Sequence, residues 1–234
     1  MSAARIGVVV AAAGAGTRMD TTAPKQYALL AGRPLLEHAL RPFLARADVS
    51  VVLVSLPAGD VATPPPWLTA LDPRIRIVAG GEARCDSVWH ALEALPDDVE
   101  IVLVHDAARP LVTPEIVARV IAEAGKGHGA VPAVPVTDTI KQVGPDGAVL
   151  GTPDRSALWR AQTPQGFPAA MLVGAYRSAR QRREPATDDA MLAERAGGRV
   201  VIVEGSPDNL KVTRASDLAL AEAILSARME ARAP

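Results

Sequence analysis

Short apolar, β-branched runs recur along the chain and alternate with stretches of helical spacing, and this rhythm sharply limits the architectures open to it. The runs are "IGVVVAA" from Ile6, "VSVVLVSL" from Val49, "RIRIVAG" from Arg74, "EIVLVHD" from Glu100, "GAVPAVPV" from Gly129 and "GRVVIVEG" from Gly198. Strands that are apolar at nearly every residue, rather than at every second one, belong to a sheet covered on both faces. Helical patterns lie between them. "PLLEHALRPFLARA" opens on Pro34 in a first-turn position, and Pro42 should end or kink it. "GEARCDSVWHALEALP" sets Val88, Leu92 and Leu95 at helical spacing, and "TPEIVARVIAEAG" carries Thr113 as N-cap, Pro114 at the first helical position and Gly125 as stop. The last helix, "RASDLALAEAILSAR", has Ser216 or Asp217 available near its start. The expectation is a three-layer α/β fold with a mostly parallel sheet. At 234 residues, with neither repeats nor a low-complexity linker, the chain reads as a single domain over residues 1–234. "TPPPW" at Thr63 is a stiff local connection.

One segment departs from the rhythm. "DTIKQVGPDGAVLGTPDRSALWRAQ", Asp138 to Gln162, has two extended pieces around "GPDG". It reads as a β-hairpin leaving the sheet as an arm over residues 137–160, with about 10 residues per strand and a reach of about 30 Å. A lone two-stranded arm needs a partner surface, and a two-fold dimer with exchanged arms supplies one.

Charge narrows the function. A net charge of −1 argues against a generic nucleic-acid surface, which shows as a basic excess. The one cysteine, Cys85, cannot form an intramolecular disulfide and reads as a packing residue in a reducing compartment. The first apolar run stops at Gly14, too short for a bilayer, and carries no secretory pattern; a cytoplasmic protein without a membrane partner is expected.

The loop after the first run, "AAAGAGTRM", occupies the place where parallel sheets bind ligands. Gly14 and Gly16 let a ligand approach the main chain, and Ala11, Ala12 and Ala13 keep the way open. It is neither of two named phosphate loops. Met19 stands where a dinucleotide fingerprint needs its third glycine, and no G-K-[ST] follows. An ordinary strand–helix turn is the plain alternative. Arg18 and Lys25, the basic residues of the stretch Val8–Tyr27, would serve chemistry at a triphosphate, where charge builds on a leaving pyrophosphate. His38, His90, His105 and His128 form no metal-binding pair, and His105 beside Asp106 reads as structural rather than as an acid or base. The basic run "RSARQRRE" near Arg177 reads as a solvated helix face.

Taken together and in order, "AAAGAGTRM…PKQY", "GG…R…DSV", "HDAARP", "TDTIK", "DRSALWRAQTPQ", "TDD" and "DNLKVTRASDLALAE" closely resemble the 2-C-methyl-D-erythritol 4-phosphate cytidylyltransferases, from about Val8 to Glu222. Ala11 departs from the pattern, since many relatives carry Pro there. The resemblance implies a Rossmann-like nucleotidyltransferase fold with a protruding hairpin, a homodimer through exchanged arms, and Mg²⁺ or another divalent cation as cofactor. It implies that the acceptor's own phosphate attacks the α-phosphate of CTP, with Arg18 and Lys25 catalytic. Nucleotide contacts would come from Ala12, Ala13, Gly14, Gly16, Arg18, Lys25, Gly81, Glu82, Ser87 and Asp106. Acceptor contacts would come from Asp106, Arg109, Thr139, Arg155, Thr163, Thr187 and Lys211, and Asp106 is the candidate metal ligand. A cytidylyltransferase for another polyol phosphate, such as ribitol 5-phosphate, is the alternative. A binding protein without turnover and a nicotinamide dehydrogenase are weaker readings, the first opposed by the intact cations and the second by the absent glycine.

Overall fold

A computed structural model describes residues 4–14 and 24–231. The elements follow in chain order: β1 (Ile6–Ala11), β2 (Leu29–Leu30), β3 (Arg33–Pro34), α1 (Leu35–Leu44), β4 (Val49–Leu56), α2 (Ala58–Val61), α3 (Pro66–Leu71), β5 (Ile75–Ala79), α4 (Arg84–Glu93), β6 (Ile101–Asp106) and α5 (Pro114–Ala124). After these come β7 (Gly129–Pro135), β8 (Gln142–Val143), β9 (Val149–Gly151), β10 (Trp159–Ala161), β11 (Gln165–Pro168), α6 (Ala169–Arg182), α7 (Asp189–Arg195), β12 (Val200–Glu204) and α8 (Ala215–Glu230). The main sheet runs β10-β7-β11-β6-β1-β4-β5, with β12 also paired to β7. Strands β1, β4, β5, β6, β7 and β12 share one direction, while β10 and β11 oppose it. The sheet is therefore mostly parallel, with helices on both faces.

The two-sided burial follows from the strand period of 2. Val8 and Val10 of β1 face a core with Leu36, Leu40 and Phe43 of α1 and Ile116 and Val120 of α5. Val9 faces the opposite core, with Val88 of α4, Leu172 and Tyr176 of α6 and Leu192 of α7. Each such buried side chain contributes about 1.5–3 kcal/mol, which is why a run apolar at every position is stable only at the centre. Among the described residues, no helix is long and apolar enough to cross a membrane.

Local signals fared unevenly. Thr113, Pro114 and Gly125 bracket α5 as expected. Pro42 lies inside α1, which ends two residues later at Leu44. Leu95 falls beyond the end of α4, and Ser216 does not cap α8. Instead Asp217 Oδ2 accepts from the backbone N–H groups of Thr213 and Arg214. The basic stretch on α6 is more than a solvated face, since Arg180 pairs with Asp86 and lies over the Trp89 ring.

The hairpin forms between β8 and β9, closed through Gly144 and by Gly147 at φ +81°. Its paired strands are two and three residues long, far short of the expected ten. A register shift between Gln142 and Val143 interrupts the ladder, and Pro153 beyond β9 has no N–H with which to extend it. Trp159 and Arg160, assigned to the arm from sequence, pair with Pro135 and Val134 in the main sheet.

Candidate active site

Strands β1, β4, β5 and β6 end side by side, and a cavity of about 440 Å³ opens over their C-terminal ends. Ala11 to Gly14, Lys25, Gln26, Gly81 to Arg84, Ser87, Asp106 and Lys211 line it. Close backbone approach shapes one wall. A Cβ on Gly80 would lie 2.2 Å from Ala13 Cβ, and one on Gly81 would lie 2.3 Å from Asp86 Cβ. Both positions require glycine for space rather than for an unusual φ. The turn into α4 is held locally. Ser87 Oγ accepts from Gly81 N–H at 3.1 Å and donates to the Ala83 carbonyl at 3.2 Å, while Asp86 Oδ2 accepts from Ala83 N–H at 3.1 Å.

Asp106, at the end of β6, is the electrostatic centre. It is 7% exposed, and it takes Arg84 Nε on Oδ1 at 2.9 Å and Lys211 Nζ on Oδ2 at 2.7 Å. Burial alone would raise its pKa; the Arg84 and Lys211 cations outweigh this and hold the carboxyl well below the usual carboxylate range. The other two nitrogens of Arg84 reach Asp189 on α7, at 3.2 Å and 2.8 Å. Burial works against the guanidinium charge, but Asp189 and Asp106 hold its pKa well above normal. Asp189 is fully buried and also accepts a 2.6 Å bond from the Tyr176 hydroxyl, whose own pKa is raised by burial and by that carboxylate.

His105 is buried and structural, as expected. Its pKa is lowered to about 4, chiefly by burial. The Arg109 carbonyl 3.2 Å from His105 Nε2 can only accept, so Nε2 carries the proton of the neutral ring and Nδ1 is the acceptor. The Thr163 hydroxyl, which accepts from Asp106 N–H at 3.0 Å, therefore donates to His105 Nδ1, also at 3.0 Å.

Ala12, Ala13, Gly14, Lys25, Gly81, Glu82, Ser87, Asp106 and Lys211 are thus brought together around one cavity. Gly16 and Arg18 lie outside the described residues. Five expected acceptor contacts stand off the cavity lining. Thr139 and Arg155 are exposed on the arm, where Arg155 donates to the Thr137 carbonyl, and Thr187 is exposed before α7. Arg109 turns its guanidinium to the carbonyls of Asn209 (2.6 Å) and Ala161 (3.3 Å). Thr163 is buried, with its proton spent on His105.

Sequence reading missed Arg84, Asp189 and Tyr176. A signal was present for the first. Arg84 is the first residue of α4, where the helix dipole disfavours a cation, so a basic side chain there calls for a carboxylate nearby. Asp189 was hidden behind Asp188, the N-cap of α7.

Among the described residues no group of three or more His, Cys, Asp or Glu side chains gathers to hold a metal. The donor set suits an ion that takes few protein ligands. Mg²⁺ keeps several waters and is commonly bound through one or two carboxylates plus substrate phosphates. Asp106 is the buried carboxylate on this wall, and each of its oxygens retains a lone pair beside its cation. A bare backbone, Lys25, Lys211 and one low-pKa carboxylate are suited to a polyphosphate that also carries hydroxyls.

Residues 6–227 match the sequence model of the family described as 2-C-methyl-D-erythritol 4-phosphate cytidylyltransferase. An enzyme of that name from Symbiobacterium thermophilum is 46% identical over 94% of this chain and 92% of its own length. The crystal structure of the Thermus thermophilus 2-C-methyl-D-erythritol 4-phosphate cytidylyltransferase superposes with a TM-score of 0.79 at 38% identity, covering 94% of this chain and 98% of that one. The 4-diphosphocytidyl-2C-methyl-D-erythritol synthase of Anaerococcus prevotii superposes at 0.84 with 28% identity, covering 95% and 96%.

Proposed function

The chain belongs to the 2-C-methyl-D-erythritol 4-phosphate cytidylyltransferase family, and from that premise we propose how its residues divide the work. It transfers the cytidylyl group of CTP to 2-C-methyl-D-erythritol 4-phosphate, giving 4-diphosphocytidyl-2-C-methyl-D-erythritol and pyrophosphate for isoprenoid synthesis. In our reading, an oxygen of the acceptor's phosphate forms a bond to the α-phosphorus of CTP. The bond from that phosphorus to the bridging oxygen breaks, and pyrophosphate leaves with the electron pair. The attacking group is already anionic, so no base is required. The barrier is one of charge: two unit charges about 4 Å apart repel by about 4 kcal/mol at an effective dielectric near 20. Lys25 and Arg18 offset it, most strongly where charge develops on the leaving group.

The cytidine half is assigned to Ala12, Ala13, Gly14, Gly16, Gly81, Glu82 and Ser87, with Asp106 receiving a sugar or polyol hydroxyl. The acceptor phosphate is assigned to Lys211 and Arg109 with Thr139, Arg155 and Thr187. Thr163 serves from beneath, since its proton is committed to His105. Bound Mg²⁺ would neutralise phosphate charge, with Asp106 the buried carboxylate we assign to it among the described residues. The arm is assigned to a homodimer in which Thr139 and Arg155 reach the partner's cavity. Support comes from its exposed apolar residues: Val143, Val149 and Leu150 are 56%, 60% and 66% exposed. The cytoplasm, where a single free cysteine stays reduced, is the compartment we assign.

The observation that carries this reading is the pairing of Lys211 and Arg84 on Asp106 in a cavity that Lys25 also lines. The test is pyrophosphate release from CTP with 2-C-methyl-D-erythritol 4-phosphate and, separately, with ribitol 5-phosphate. Release with the first, at least about tenfold faster, is expected. Faster release with ribitol 5-phosphate would overturn the acceptor assignment.

A further inference from the structure

Lys211 sits in the loop between β12 and α8, which has no regular structure, and its side chain is 42% exposed. Its ammonium group is held at its tip by Asp106, and the approach to that carboxylate is set by the loop backbone. One buried amide grips that backbone on both sides of Ser206, beside the Arg109 guanidinium on the Asn209 carbonyl and Gly205 N–H on the Ala133 carbonyl. Gln162, directly after β10, is 5% exposed; its main-chain N–H donates to the Pro132 carbonyl at 2.7 Å, anchoring it on β7. Its side-chain Nε2 donates to the Ser206 carbonyl at 2.7 Å, and its Oε1 accepts from Ser206 N–H at 3.2 Å. A carbonyl on one side and an N–H on the other fix the orientation of the amide. Asn209, fully buried, donates from Nδ2 to the same Oε1 at 3.3 Å and to the Thr163 carbonyl at 3.0 Å. The approach is close enough that a Cβ on Gly205 would lie 2.5 Å from Gln162 Oε1. Beyond Lys211 the loop is tied down again, by Val212 N–H on the Ala108 carbonyl at 2.7 Å.

We propose that Gln162 is a positioning residue for the reaction: by holding the 205–209 backbone, it sets Lys211 against Asp106 and the incoming phosphate. The proposal rests on the reading that Lys211 contacts the acceptor phosphate. Gln162 itself is not on the cavity wall. A purely structural amide would lower stability and add its loss of activity to any other; a positioning amide acts through one side chain. The two differ in a double-mutant cycle.

The experiment measures kcat/KM for 2-C-methyl-D-erythritol 4-phosphate at saturating CTP in the full-length protein, for wild type, Gln162→Met, Lys211→Met and the double variant. Gln162→Met should cost about tenfold in the wild-type background and less than about twofold once Lys211 is gone, a coupling within the range found for interacting residues. Its effect on the midpoint of thermal unfolding should be the same in both backgrounds. Gln162→Asn, which keeps the amide but is one methylene too short to reach Ser206, should repeat the pattern and stands in if the Met variant does not fold. Equal losses in both backgrounds would overturn the positioning role alone. An inert Lys211→Met would overturn both this proposal and the reading it rests on.

Discussion

Nζ of Lys211 lies 2.7 Å from Oδ2 of Asp106, although 105 residues separate the two in the chain. The contact brings together the end of a central strand and a loop that enters the last helix. The wall beside the cavity therefore carries balanced charge: Arg84 and Lys211 against Asp106 and Asp189. An arriving polyphosphate meets cations already in place, and their cost of ordering is met in folding rather than at each turnover.

Lys25 should matter to chemistry more than to binding. Lys25→Ala is expected to lower kcat by about two to three decades, the usual loss when one preorganised donor to a developing charge is removed, while the Kd for CTP changes less. Arg18→Ala should behave alike. Steady-state rates at saturating substrates, beside calorimetric CTP titration, check this. An unchanged kcat with weakened binding would contradict it.

Acid should destabilise the protein through His105. Its folded pKa, about 4, is below the unfolded value of about 6.5. Between those values the unfolded chain binds more protons than the folded one, so stability falls as pH drops from about 6.5 to about 4 and is flat in this respect above. His105→Asn should flatten that slope while lowering stability at pH 7. Urea unfolding at pH 7.5 and pH 5 for both proteins measures the difference, and identical slopes would refute it.

Gly80→Ala should damage the nucleotide wall. The added Cβ meets Ala13 Cβ at 2.2 Å, so the first loop or the turn after β5 must move. Overpacking of this kind costs about 1–3 kcal/mol. The KM for CTP should rise by about tenfold or more, with the acceptor's KM less affected. A normal CTP KM would show that this wall does not set nucleotide fit.

Mixed dimers should regain activity. If Arg155 acts in the partner's cavity, combining Lys25→Ala with Arg155→Ala protein creates one site carrying neither lesion. Activity should then rise well above that of either variant once subunit exchange is shown by labelled chains. Verified exchange without recovery would mean that Arg155 does not act across the dimer.

The parallel sheet and its ligand-binding end were legible because two-sided burial leaves unbroken apolar runs and a Gly- and Ala-rich loop follows the first of them; the close approach at Gly80 and Gly81 was not, since it depends on Ala13 and Asp86 beside them. What stayed hidden was pairing over distance. Nothing in "GEARCDSV" or "TDDAM" says that Arg84 and Asp189 meet, since each has a local explanation in its own helix start. The hairpin was legible in its turn and not in its length, which depends on a register shift and on Pro153. The same holds for Thr163, whose hydroxyl bond to a histidine 58 residues away no local pattern announces.

Every nitrogen of the Arg84 guanidinium is committed, Nε to Asp106 and the other two to Asp189. Loss of Arg84 leaves the fully buried Asp189 carboxylate without its cation, and loss of Asp189 removes two of the three bonds on Arg84, each at a cost of about 3–5 kcal/mol. Over generations, positions 84 and 189 are therefore not free to drift singly. A lineage that replaces one must pass through a poorly folded intermediate or change its partners in the same step. Their inheritance should be locked as a set, even where the surrounding helices diverge freely.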